Sequence, residues 1–175
     1  MQRVTETKEI ILALDTATTT GYAIYQNGKI IYHGAWRFNI LDRHKQLYAQ
    51  LTKTIRKYHI TIIVVEDIFK SKDQRLISAF QVLSELRGII ELVAQRNELK
   101  LSFLNPLIIK SHMIPSFSYN TKGTRADQKK AMINAITRLG YVLNTTKDDE
   151  ADAIGILITY VEGMRYQLQH PSQRY

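Results

Sequence analysis

An unbroken apolar run, IILAL, ends on Asp15, and the residues that follow it (TATTTG) are small or polar. A second run, TIIVV at 61–65, ends in the same way on Glu66. Short apolar runs of this kind are typical of strands that are buried on both faces. A carboxylate at the edge of a core is costly unless a partner charge, hydrogen bonds or a metal ion compensates it. The two runs therefore predict a covered sheet whose central strands end on acids that need a partner.

The remaining patterns predict three antiparallel strands followed by alternating helices and strands. Asn27-Gly28 lies between two β-rich runs, which predicts a two-residue hairpin turn. Further along the chain, periodicity and composition predict helices at 42–59, 73–97, 125–139 and 148–169, strands at 61–69 and 99–106, and a polar loop at 111–124. This order predicts an α/β fold, with a mixed five-stranded sheet flanked by helices on both faces.

Length and charge limit the classes of protein to consider. The 175 residues suit a single domain, 1–175, with a short N-terminal extension at about 1–8 and a C-terminal tail at about 166–175. There are 24 Lys and Arg against 16 Asp and Glu, and this net charge of +8 favours an anionic partner, nucleic acid first. Cysteine is absent, which excludes disulfides and thiolate metal sites. A polar N-terminus and the lack of a long apolar stretch predict a soluble, cytoplasmic protein without a membrane partner.

A third group of acids opens the last predicted helix: Asp148, Asp149, Glu150 and Asp152. At about 100° per residue, Asp149 and Asp152 share one face, and so do Asp148 and Asp152, whereas Glu150 points away from Asp152. Helical phase therefore leaves the partner of Asp152 open. Taken singly, these acids could cap the helix, and the acids at the strand ends could simply face solvent.

The recurrence of acids at three buried elements favours a metal centre. If the two strands are neighbours, their carboxylates meet, and like charges then require a cation. Oxygen ligands without thiolates or paired histidines suit Mg²⁺ or Mn²⁺. On a basic protein, two such ions can cut a phosphodiester, one by activating water and the other by stabilising the leaving oxygen. The residues thus point to a metal-dependent nuclease.

Six segments spanning roughly residues 10–162 carry a further signal: IILALDTATTTGYAIY, VVEDIF, LRG at 86–88, NPLIIK, KGTRAD and DDEADAIGI. In this order they resemble the segments of RuvC-type Holliday junction resolvases, whether bacterial or phage-encoded. The resemblance implies an RNase H-like fold, a homodimer, and Mg²⁺-dependent nicking of four-way DNA junctions at symmetrical positions. It names no helicase partner. We expect the apolar side of the 73–97 helix to form the dimer interface.

The resemblance also assigns site residues. It implies that the catalytic and metal-binding acids are Asp15, Glu66, Asp149 and Asp152, with two ions between them. It places a base-contacting aromatic at Phe69, three residues after the glutamate.

Two cationic positions and one loop complete this comparison with the family pattern. Lys110 corresponds to a lysine near the scissile phosphate. A second family lysine aligns with Gln128, next to Lys129. The family commonly has Pro-Gly after the first aspartate, where this chain has Thr16-Ala17.

A cluster of basic residues predicts where DNA lies. Between residues 100 and 130 there are six Lys or Arg against the single acid Asp127: Lys100, Lys110, Lys122, Arg125, Lys129 and Lys130. Such an excess favours a phosphate-contacting surface, and the last five are the predicted DNA-binding cations. A comparable excess at 42–57 is better explained as the solvated face of a helix.

Three other functions use the same residues differently. A related nuclease could act on forks, other branched DNA or RNA with the same fold and acids. A non-catalytic nucleic-acid-binding protein could keep the basic surface, but the presence of all four acids argues against it. The DTATTTG segment could also be the phosphate loop of an actin-like or sugar-kinase ATPase. Those proteins need two such domains, and this chain has the length of one.

Overall fold

A computed structural model of the chain describes residues 9–68, 77–115, 124–144 and 148–169. It contains one five-stranded sheet with the strand order β3-β2-β1-β4-β5. The strands are β1 (Ile10–Asp15), β2 (Thr19–Gln26), β3 (Lys29–Arg37), β4 (Ile62–Glu66) and β5 (Lys100–Leu104). The first three strands pair antiparallel, whereas β4 runs parallel to β1 and β5 runs parallel to β4. The predicted mixed sheet is confirmed.

Helices cover both faces of this sheet. They are α1 (Arg43–Tyr58), α2 (Ile77–Arg96), α3 (Pro106–Met113), α4 (Arg125–Arg138) and α5 (Asp148–Gln169). Side chains alternate along β1, so that Ile11 and Ala13 join the core under α3, α4 and α5, while Leu12 and Leu14 join the core under α1 and α2. A strand covered on both faces needs an apolar residue at every position, which explains the unbroken run before Asp15.

The hairpin between β2 and β3 turns at the predicted dipeptide. Asn27 and Gly28 both have positive φ, 52° and 85°, in the left-handed region. Two consecutive left-handed residues match the twist of the flanking strands, and Asn-Gly is the dipeptide that adopts this turn most readily.

The prediction for residues 99–124 is partly wrong because it missed helix α3. Strand β5 ends at Leu104, and the Asn105 side chain then accepts a hydrogen bond from the backbone N–H of Leu107 at 2.8 Å. Pro106 occupies the first turn, where its missing N–H costs nothing. Asn105-Pro106 therefore begins a helix, and residues 111–113 end that helix instead of opening a loop.

Two other boundaries also differ from the prediction or lie outside the described residues. The strand predicted at 61–69 is β4, which ends at Glu66, so its predicted continuation over residues 67 and 68 is wrong, while residue 69 lies outside the described residues. Ile68 instead donates its backbone N–H to the Asp67 side chain at 2.9 Å. The start predicted for the helix at 73–97 lies outside the described residues, and α2 is described from Ile77 to Arg96. Within the described part of the chain, no helix has both the length and the apolar character needed to cross a bilayer.

Candidate active site

The parallel pairing of β1 and β4 places the two strand-end acids side by side. Leu14 pairs with Val65, so the next residues along the two strands are Asp15 and Glu66. Both acids line one cleft of about 270 Å³ at the carboxyl ends of these central strands. In open α/β sheets, ligands bind outside the carboxyl ends of the strands.

The first turns of α5 bring further acids to the same cleft. Asp148, Asp149 and Asp152 all line it. Glu150 does not line it; its side chain is fully buried, and its helical phase points it away from Asp152. The structure thus brings together all four predicted metal-binding acids and adds Asp148 as a neighbour.

A glycine allows α5 to approach the sheet this closely. Gly21 on β2 pairs with Asp15 on β1. A Cβ atom at Gly21 would lie 1.8 Å from the backbone carbonyl oxygen of Asp149. Only a residue without a side chain therefore permits the observed contact between β2 and the first turn of α5.

Burial and mutual repulsion raise the pKa values of the central acids. Burial, followed by the charges of Asp152, Glu66 and Asp149, raises the pKa of Asp15 well above its usual range. Burial is also the largest influence on Asp152, whose pKa is raised to about 7, with Glu66 and Asp148 adding to the effect. The pKa of Glu66 is raised by burial as well, while Lys110 opposes that rise. Such a cluster is stabilised by protons or by a cation.

Cationic side chains surround the acids. Lys110 of α3 and Lys129 of α4 both line the cleft, and the charges of both lower the pKa of Asp152. Lys129 also forms an ion pair with Asp148. Arg125 and Gln128 lie in the same lining. The second lysine of the family pattern aligns with Gln128, next to Lys129. At this place in the cleft, Lys129 supplies the positive charge and Gln128 lies beside it.

Of the three other predicted DNA-binding residues, the structure describes one. Lys130 is exposed and is not part of the cleft lining. Phe69 and Lys122 lie outside the described residues.

The donor chemistry of the cleft fits Mg²⁺. Its acids offer hard oxygen ligands, and the buried Thr16 hydroxyl beside Asp15 has no hydrogen-bond partner among the described residues. In the described ranges, no set of three or more Asp, Glu, His or Cys side chains is arranged so that it could hold a metal ion. Mg²⁺ does not need such a set, because it usually keeps several waters and binds one or two carboxylates plus substrate phosphates.

Arg87 of α2 is a cleft residue that helical spacing alone did not single out. Its Nη1 donates to Asp67 at 2.6 Å and its Nε donates to Glu91 at 2.8 Å. Its guanidinium lies 3.8 Å from the centre of the Phe103 ring. Because Asp67 directly follows Glu66, these contacts hold the chain where it leaves β4. The sequence does carry a signal for this residue, because Arg87 is a charge within an otherwise apolar helical stretch and belongs to the LRG segment.

The sheet order and the position of this cleft define a class of protein. A mixed sheet whose first three strands are antiparallel, with acids at the ends of β1 and β4 facing an acidic helix, is an RNase H-like fold.

A family model described as crossover junction endodeoxyribonuclease RuvC matches residues 11–160. The chain therefore belongs to the RuvC family and is an endonuclease. The RuvC protein of Dictyoglomus turgidum is 27% identical over 161 residues, which cover 87% of this chain and 96% of the relative. That of Histophilus somni is 28% identical over 168 residues, covering 91% and 83%.

Solved structures share the fold. Thermus thermophilus RuvC in complex with a Holliday junction substrate matches with a TM-score of 0.67 at 12% identity, over 90% of this chain and 96% of that one. Fowlpox virus resolvase in complex with Holliday junction DNA matches with a TM-score of 0.58 at 17% identity, over 89% and 98%. At these identities the likeness shows the fold alone.

Proposed function

We propose that this endonuclease resolves four-way (Holliday) DNA junctions by paired, symmetrical nicks. The carrying observation is that Asp15, Glu66, Asp149 and Asp152 line one cleft in a member of the RuvC family. Junctions are favoured over forks or RNA because two proteins that share the fold have been solved with Holliday junctions.

The four acids would hold two Mg²⁺ ions in each active site, and Mn²⁺ would substitute. Membership of the RuvC family indicates a nuclease that depends on divalent metal. When bound, the ions supply an activated water and stabilise the leaving oxygen. The acids must lose their protons to serve as ligands, so the pKa of Asp152, raised to about 7, makes metal binding sensitive to pH near neutrality, and the raised pKa of Asp15 acts in the same direction.

The cations would hold the phosphate backbone against this site. Lys110, Arg125 and Lys129 lie in the cleft lining, within reach of a strand that approaches the acids. Such contacts fix register and orientation without reading sequence. Lys122 and Lys130 would extend this contact, and Phe69 would stack on an unpaired base at the junction centre.

Paired nicks require two active sites related by a twofold axis, so the active species would be a C₂ homodimer. The apolar side of α2, which the sequence predicts to form this interface, is instead buried in the core of the chain through Leu86, Ile90, Val93 and Ala94. The interface would therefore use the exposed apolar residues of α2. Ile77 and Leu92 are 46% and 50% exposed. They are 15 positions apart, which places them about 60° apart around the helix.

Cleavage of a synthetic four-way junction with Mg²⁺, resolved on a denaturing gel, tests the proposal. Asp15→Asn, Glu66→Gln and Asp152→Asn should each abolish cleavage yet retain junction binding measured without Mg²⁺, because the phosphate contacts lie on other residues. Glu162→Gln should cut normally, since Glu162 is an exposed acid of α5 outside the cleft lining.

Two further comparisons sharpen this test. Asp149→Asn should be inactive and Asp148→Asn should be active. The opposite result would mean that Asp148, and not Asp149, is the metal ligand. Substantial nicking by Asp15→Asn would refute the metal-site assignment. Preferential cleavage of forks or RNA over the four-way junction would refute the substrate.

A further inference from the structure

A buried carboxylate lies between two of the proposed metal ligands but does not reach the cleft. Glu150 is 0% exposed and, among the described residues, does not belong to the cleft lining. A buried charge is retained only when paired and hydrogen-bonded, so the partners of Glu150 indicate its role.

The partners of Glu150 come from β3 and from the chain segment after α4. Glu150 Oε1 accepts hydrogen bonds from the backbone N–H and the Nδ2 of Asn144, at 3.1 and 3.0 Å. His33 Nδ1 lies 2.6 Å from the same oxygen, and because a carboxylate only accepts, the ring fits with its proton on Nδ1. Asn144 Nδ2 also donates to the backbone carbonyl of His33 at 3.2 Å. These bonds join the first turn of α5 to β3.

The same turn also touches β2. There the backbone of Asp149 approaches Gly21 too closely for any side chain. Glu150 points about 100° from Asp149 around the helix. Holding Glu150 towards β3 therefore fixes the rotation of α5 that turns Asp149 and Asp152 into the cleft.

We propose that His33, Glu150 and Asn144 form an anchor that positions Asp149 and Asp152 for metal binding. This inference rests on the proposed function of those two acids. The three anchor residues act through the helix and do not line the cleft, so they are positioning residues. Their loss should weaken metal binding, whereas junction binding should persist because it depends on the cations of the cleft.

Two substitutions of His33 separate the hydrogen bond from packing. His33→Phe keeps a ring beside Tyr141, whose ring centre lies 6.3 Å from that of His33, but removes the donor. His33→Asn restores an amide donor near the position of Nδ1. Ile154→Val is the matched control, because Ile154 is a fully buried core residue of the same helix and is not part of the cleft lining.

The readouts are Mn²⁺ binding without DNA by electron paramagnetic resonance, and single-turnover junction cleavage at increasing Mg²⁺. His33→Phe should weaken Mn²⁺ binding about 10-fold or more. It should need correspondingly more Mg²⁺ for half-maximal cleavage, with unchanged junction affinity. His33→Asn should recover most of the loss, and Ile154→Val should match the wild type in both readouts.

Several results would overturn the anchor. One is wild-type Mn²⁺ affinity in folded His33→Phe; another is an equal loss in Ile154→Val. If His33→Phe does not fold, Asn144→Ala replaces it and must weaken Mn²⁺ binding for the anchor to stand. Failure of the proposed function is a different outcome, in which Asp15→Asn still cleaves. If Asp15→Asn is inactive while His33→Phe behaves as wild type, only the anchor is wrong.

Discussion

Replacing Gly21 with alanine should push α5 away from the sheet and disable the proposed active site. The added Cβ would lie 1.8 Å from the carbonyl oxygen of Asp149, 2.4 Å from its carbonyl carbon and 3.2 Å from the Cβ of Ala153. The two shortest contacts are with backbone atoms, so no side-chain rotation relieves them. Gly21 is not among the glycines with positive φ, which means that close approach, and not conformation, requires it.

The size of the shift follows from these distances. Real Cβ contacts essentially never fall below 3.0 Å, so the backbone of Asp149 must retreat by about 1.2 Å, the difference from 1.8 Å. Overpacking of this kind costs about 1–3 kcal/mol of unfolding free energy, which a domain with about 5–15 kcal/mol survives. A misplacement of about 1 Å can reduce a catalytic rate about 100-fold. We therefore expect folded Gly21→Ala protein with about 100-fold slower cleavage.

The assay pairs the single-turnover cleavage rate with the melting temperature. Gly163→Ala is the control, because Gly163 lies on the same helix and a Cβ there would meet nothing within 4 Å. Alanine in a helix interior is favoured over glycine by about 0.5–1 kcal/mol, so this control should be at least as stable as wild type and fully active. Wild-type cleavage by Gly21→Ala would refute the reasoning, because it would mean that this contact does not position Asp149.

Four further predictions concern pH, salt and the junction centre. Because the pKa of Asp152 is raised to about 7, cleavage at limiting Mg²⁺ should increase as pH rises through 7. Between about pH 4 and 7 the Asp152 carboxyl keeps its proton in the folded protein but loses it in the unfolded chain. The unfolding free energy of the metal-free protein should therefore decrease as pH rises from about 4 to 7, and this decrease should be smaller in Asp152→Asn. Melting curves recorded across this pH range measure both. Junction affinity should decrease steeply as the salt concentration rises. Lys110→Ala should reduce the slope of log affinity against log salt concentration by about one unit, and Lys53→Ala on α1 should leave it unchanged. An affinity that does not depend on salt would contradict this prediction. Phe69→Ala should slow cleavage by removing about 1–3 kcal/mol of base stacking. A loss of about 3–5 kcal/mol in unfolding free energy would instead identify Phe69 as a core residue.

Much of the acidic cleft follows from local sequence. The apolar runs before Asp15 and Glu66 predict central strands, since a strand covered on both faces needs apolar residues throughout. Helical phase correctly turns Glu150 away from Asp152. Phase could not choose between Asp148 and Asp149, and in the structure both line the cleft, with Asp148 paired to Lys129.

Helix α3 begins at a local signal that can be read in the sequence. Asn105-Pro106 carries both an N-cap and a first-turn proline, which together favour a helix start. The strand predicted at 99–106 includes both residues and so misses this helix start. This miss matters for the site because α3 carries Lys110, whose charge lowers the pKa values of Glu66 and Asp152.

The sequence by itself determined the strands, most of the helices and the family, because strand alternation and helical period are local properties. Tertiary structure alone decided which distant residues meet. His33 bonds Glu150 across 117 positions, and the Gly21 contact with Asp149 depends on how closely α5 packs on β2. A periodic sequence pattern cannot predict such contacts between distant residues, because the contact distances depend on how the helices and strands pack against one another.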